Sequence, residues 1–440
     1  MLFVTIILCA LFFGGFAAAG NPPDFRSTGC GIEIGTDGTV VPLSKEKAIS
    51  IGKLAAKPDV PADLNKSVPL RKISLKKFDA EMKEIVEKQK FIPDAMRYLG
   101  GLTSIKYIAV IPEEKDILLI GPAEGWKNDS AGNIIGAQSG SPMMMLEDFL
   151  TVLMMQNRFT HQQGIITCSI EPASDALGKI VKVQQRYSTI DAKNAGAYAD
   201  ELENAFGKMP IAITGVPLQS RFAKVLAAAD LKMKRIALGL EPAAVRNVPS
   251  YISLISGSRP VNPRFWIVPE YSPVTHDSKK LTYQLSNLKI RVFAEEDYFA
   301  VRQNIKRENT DRAAVQWCKR VEENFDALVK SQPVFGELVK DMEIAFVAAV
   351  IQQEKLLQKA DCRLLILHDE SKLKLIPYPQ PKSVESKSVI SKIGYSSVVA
   401  CGGIEINPFG VLQTGLDLNE KMDAERKKLI QTKGKEWWSP

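Results

Sequence analysis

Two groupings of carboxylates are the first residues in this chain whose types and spacing suit a reaction. Glu124 sits in Gly121-Pro122-Ala123-Glu124-Gly125-Trp126, and Glu295-Glu296-Asp297 follows a strand-like run. Glycoside hydrolysis uses two carboxyl groups held about 5–10 Å apart, one an acid and the other a base or nucleophile. The glycines beside Glu124 allow close approach, and Trp126 offers a flat apolar face of the kind that stacks on sugar rings. Glu124, Glu295 and Glu296 are therefore the candidate catalytic residues, and Trp126 the candidate ligand-binding residue. The competing reading is a tight turn packed by its own tryptophan.

Other chemistry has less to stand on. The histidines, His161, His276 and His368, are scattered. A zinc site needs several ligands at short spacings and H-E-x-x-H is absent, so no metal is expected. His368 beside Asp369 is the one histidine–acid grouping worth following. Gly136-Ala137-Gln138-Ser139-Gly140 misses the G-x-S-x-G elbow by one position. The S-x-x-K matches starting at Ser44, Ser74 and Ser371 are what this lysine content produces, and neither S-D-N nor K-T-G accompanies them. Glycine loops for nucleotides are absent, so no cofactor is expected.

Composition narrows the class. With 440 residues, 45% hydrophobic and 24% charged, the chain has material for two or three folded units and is not wholly disordered. The net charge of +7 comes from 57 basic and 50 acidic residues. Its clusters, such as Lys232-Met233-Lys234-Arg235 and Arg426-Lys427-Lys428, lie far apart and lack interleaved aromatics. That pattern suits solvated surface rather than nucleic acid.

Leu2 to Phe16 is apolar without a charge and ends at Ala17-Ala18-Ala19, which reads as a signal peptide over residues 1–19 with Gly20 beginning the mature chain. A basic residue before the apolar run is missing. The run is also shorter than the about 20 residues a membrane span requires. Export to the periplasm, envelope or exterior is expected, with no transmembrane span once the signal is removed. Five cysteines then remain, an odd number without C-x-x-C spacing. Cys30-Gly31-Ile32-Glu33-Ile34 and Cys401-Gly402-Gly403-Ile404-Glu405-Ile406 look alike. If these two hairpin-like segments pair, Cys30–Cys401 is the expected disulfide.

The elements that must carry these residues alternate between the strand and helix periods. Ile105–Ile111 and Ile117–Ile120 around Pro112 predict a hairpin, and Ser74 predicts the cap of a helix with a stripe at Leu75, Phe78, Met82 and Ile85. Met143–Gln156 reads as a methionine-rich core helix. Ser220–Met233 reads as an amphipathic helix followed by a strand over Arg235–Leu240. Leu338–Leu357 reads as a helix apolar nearly all round, and Leu364–Leu367 as a buried strand. The sum is an α+β fold of mixed sheets with packed helices. Its expected segments are the signal (1–19), a hairpin and linker (20–69), a core unit (70–190), an aromatic-rich α/β unit (191–302) and a helical C-terminal region (303–440).

Several blocks together carry a resemblance: RKISLKKFDAEM, the run from IPDAMRYLGG through GPAEGWKNDSAGNIIG, ITCSIEPASDALGKI, ITGVPLQSRFAKVLAAADLKMKRIALGLEP, RFWIVPEY and GGIEINPFG. They resemble a planctomycete family of exported proteins catalogued as a domain of unknown function, number fifteen ninety-eight. The resemblance implies export and brings no activity or catalytic residues. The expected function is a non-catalytic binding or structural component of the cell envelope, with an envelope polymer or protein as partner. The alternatives are an envelope glycan hydrolase using the paired carboxylates and a homo-oligomeric assembly protein.

Overall fold

The computed structural model describes residues 30–155, 164–187, 189–256, 262–286, 288–295, 311–369, 371–373, 375, 377–432 and 436–440. The leader at 1–19, His161 and Glu296 lie outside them. The fold is α+β, with two large mixed sheets, three two-stranded ones and packed helices around one large apolar core and two smaller apolar clusters among the described residues.

The six-stranded sheet runs Lys289–Ala294, Arg264–Glu270, Cys401–Ile406, Ile166–Ile170, Lys208–Thr214, Ser383–Glu385 in spatial order. Arg264–Glu270 and Cys401–Ile406 are its parallel pair, and the other pairs are antiparallel. The seven-stranded sheet runs Asp417–Leu418, Thr275–His276, Thr282–Gln284, Tyr107–Ile111, Asp116–Ala123, Val68–Ser74, Trp438–Ser439. Strands from the 70–190, 191–302 and 303–440 segments stand side by side in both sheets.

The predicted hairpin forms the middle of the seven-stranded sheet, with Ile111 opposite Asp116 and Lys115 turning the chain at φ 54°. Side chains alternate along a strand. Ile108, Val110, Ile117 and Leu119 accordingly enter the main core, while Ala109, Ile111, Leu118 and Ile120 meet Leu429 of the C-terminal helix on the other face.

Four helices carry buried charged side chains among the described residues. α1 (Leu75–Glu87) is capped as expected, the Ser74 hydroxyl accepting the Lys77 amide at 3.1 Å. α2 (Leu146–Met155), α3 (Arg221–Ala237) and α4 (Pro333–Gln353) pack on one another. α2 and the residues leading into it bury Met143, Met144, Met145 and Met154, the core-filling role their stripe implies. α4 starts on Pro333, whose missing amide hydrogen has no partner to lose in a first turn. Among the described residues no helix is long and apolar enough to cross a membrane.

Three expectations are overturned. The strand read over Arg235–Leu240 is the end of α3, which continues to Ala237 before Gly239 turns at φ +70°. Leu364–Leu367 is a turn, because the buried Asp79 carboxylate accepts the amides of Leu365, Ile366 and Leu367 at 2.8, 2.9 and 2.8 Å. The two similar cysteine-led segments do not pair. Ile32–Ile34 pairs with Val40–Pro42, whereas Cys401–Ile406 is an inner strand of the six-stranded sheet. Cys30 and Cys401 form no disulfide with each other, and both thiols are buried.

Candidate functional site

A dense grouping of buried charge lies where α2, α3 and α4 meet. α2 brings Glu147 and Asp148 in its first turn, where acidic side chains favour the helix dipole. α3 brings Arg221 as its first residue and Lys224 one turn on. α4 brings Glu337 and Asp341, four apart and so on one face. A cation in the first turn of a helix opposes the dipole, so Arg221 must be held by other means. Ser220 caps α3 by accepting the Ala223 amide at 3.1 Å, which fixes where that first turn begins.

Arg221 is 4% exposed and Asp341 0%. One guanidinium reaches three acids: Nη1 donates to Asp148 Oδ2, Nη2 lies 3.3 Å from Glu337 Oε2, and Nε lies 3.7 Å from Glu147 Oε1. The Tyr378 hydroxyl, from the extended connector at 377–382, meets both oxygens of Glu147 at 3.0 and 2.9 Å. Lys224 Nζ stands 5.7 Å from the Tyr378 ring centroid. Asp341 is a close neighbour of Asp148, and the Cys30 thiol hydrogen-bonds Glu337. Burial raises the carboxyl pKa values of Glu147 and Asp148, with Arg221 opposing, and lifts that of Asp341 well above the ordinary range. For Arg221, burial works against the charge, but Asp148 and Glu337 overcome it. The arrangement can tie three helices together and hold a proton.

The far end of α3 buries a second, smaller set. Lys234 bonds Asp230 one turn back and donates to the Gly402 carbonyl of the six-stranded sheet at 3.0 Å. Burial pushes the Asp230 carboxyl up to about 7, Lys234 opposing.

The sequence-derived candidates lie elsewhere and apart. Glu124 is buried, and its carboxylate accepts the amides of Gln138 at 2.7 Å and Ser139 at 3.2 Å. Trp126 is 2% exposed; its indole N–H donates to the Asp59 carbonyl at 3.1 Å and its ring meets Tyr98 edge-on. Glu295 follows the edge strand of the other sheet and binds Arg264 at 2.8 Å, which also holds Glu171 at 2.9 Å. His276 Nδ1 lies 2.8 Å from the Asp277 carbonyl, and burial lowers the pKa of His368. Among the described residues no group of three or more His, Cys, Asp or Glu is placed to hold a metal ion. A cavity of about 170 Å³ lies beside Arg97, whose charge acts on Glu147; its wall includes Lys57, Asp94, Tyr98 and Asn128.

Sequence reasoning missed the three-helix cluster, though a signal was there. Glu147-Asp148 inside MMMLEDFLTVLMM, and Glu337 and Asp341 on a helix apolar nearly all round, are acids without a wet face to occupy.

A family model described as Protein of unknown function (DUF1598) matches residues 168–251. No curated protein and no solved structure matches the chain. The matched stretch contains the strand from Cys168, the whole of α3 and the loop to Tyr251, but not the Gly121–Trp126 block. The part of this chain similar to that family is thus the part that supplies Arg221, Lys224, Asp230 and Lys234 to the core.

Proposed function

We propose that this is an exported, non-catalytic protein with a binding or structural role in the cell envelope, released from its leader at Gly20 and akin to the planctomycete family its sequence blocks resemble. The observation carrying this reading is the state of Glu124. Its oxygens receive the Gln138 and Ser139 amides, so the carboxylate holds its own loop instead of facing outward. Trp126 and Glu295 are likewise engaged with Asp59 and Arg264.

The test expresses the full chain with a C-terminal tag in a diderm bacterium. Fractions are probed, the N-terminus is sequenced, and the purified protein is mixed with isolated envelope polymer. The expected result is a chain beginning at Gly20 in the periplasmic or envelope fraction that co-sediments with polymer and releases no soluble sugar. Retention in the cytosol with the leader intact would sink the reading. Release of glycan fragments that E124Q abolishes would replace it with the hydrolase.

A further inference from the structure

Asp148 on α2 and Asp341 on α4 are buried where these two helices pack, and among the described residues they have fewer donors than oxygens. Asp148 Oδ2 is taken by Arg221, while Asp148 Oδ1 and both oxygens of Asp341 receive no N–H or O–H from the described residues. Yet both carboxyl groups are buried, at 1% and 0% exposure, and are near enough to influence each other's protonation. Two ionised carboxylates that close together in a buried site repel each other. One proton between them turns the repulsion into a short, charge-assisted hydrogen bond.

The charges facing the pair lead to the same place. α2 supplies Glu147, α3 supplies Arg221 and Lys224, and α4 supplies Glu337. Tyr378 comes from the connector, Cys30 from the N-terminal hairpin, and Arg97 acts on Glu147 from the short helix Asp94–Arg97. The Tyr378 hydroxyl and the Cys30 thiol stay protonated, both pushed upward first by burial and then by the neighbouring acids. Four carboxyls therefore face three cations.

We propose that one proton shared between Asp148 and Asp341 completes this cluster and makes the junction of α2, α3 and α4 a proton-dependent latch, which loosens as the pH rises. Asp341 is the group that holds the proton. Burial comes first, then the charge of Asp148, with Arg221 opposing and not prevailing. The unfolded chain gives up that proton near about pH 4, the ordinary aspartate range. The folded state thus binds more protons above that pH, and stability falls as pH rises through the folded value.

The test follows thermal unfolding of the full chain and of D341N from about pH 5 to about pH 9. The wild-type midpoint should fall across that range. D341N offers Asp148 a permanent N–H donor, so its slope should flatten and its midpoint should exceed wild type by about 1–2 °C or more at the alkaline end. A slope identical to wild type overturns the latch. A second measurement stands without the variant: the infrared spectrum of the wild-type protein at neutral pH should contain the carbonyl stretch of a protonated carboxylic acid. A spectrum with ionised carboxylates alone overturns it as well.

Discussion

The two ends of α3 both bury charge, and they do so in opposite ways. At the C-terminal end, Lys234 takes an acid from its own helix and a carbonyl from the sheet beneath it. That pair is local, forms when the helix forms, and places a cation where the helix dipole favours one. At the N-terminal end, Arg221 sits where the dipole disfavours it and depends on acids more than seventy residues before it and more than a hundred after it. The first arrangement docks one helix on one sheet. The second exists only when three helices have found each other, so it can specify which faces meet. This difference is about assembly as much as stability, because a buried ion pair is rarely worth more than the apolar packing it displaces.

The largest way to break the comparison is R221M. It leaves Glu147, Asp148 and Glu337 buried without their guanidinium, and stranding buried charge of this kind costs about 3–5 kcal/mol. Urea unfolding should show the midpoint drop accordingly. R221K should fall between, since an ammonium cannot reach acids on two helices with a planar fork.

K234M should cost less, about 1–3 kcal/mol at neutral pH. Its orphan, Asp230, already has a pKa pushed up to about 7 by burial and can take a proton once Lys234 is gone. A carboxyl raised in the folded state contributes stability that is present at low pH and lost as pH rises through that value. The K234M penalty should therefore be small near about pH 5 and grow by about pH 8, in urea midpoints measured at both. Should K234M prove costlier than R221M at every pH, the contrast between the two ends fails.

What could be read beforehand follows the same division between local and distant. The hairpin around Pro112, the Ser74 cap and the methionine-rich helix were legible because period and turn chemistry act within a few residues. The end of α3 was misread because Arg235-Ile236-Ala237-Leu238 has apolar residues that suit a strand as well as the last turn of a helix, and Gly239 marks either boundary. Leu364–Leu367 was misread because its amides are satisfied by Asp79, a residue on α1 nearly three hundred positions away. The Arg221 cluster was illegible for the same reason. Periodicity says which face of each helix is apolar, not which faces will touch. The Cys30–Cys401 pairing failed because likeness between two short segments carries no information about their separation.

E124Q supplies the smallest effect and the sharpest control. The Glu124 carboxylate is a local device: it gathers the Gln138 and Ser139 amides, and Gly136 lets it approach, since a Cβ there would lie 2.1 Å from Oε1. Glutamine keeps one acceptor oxygen, loses the charge that strengthened these bonds, and turns an NH₂ toward backbone donors. The expected loss is about 1–2 kcal/mol. Because one loop is involved and no helix junction, hydrogen exchange should quicken at Gln138 and Ser139 while the amides of α3 keep their wild-type rates. Combined with R221K, the two losses should add within about 0.5 kcal/mol, as independent sites do. Faster exchange along α3 in E124Q would show that this loop and the three-helix junction open together, and the local and assembled charges of this protein would then form one cooperative unit.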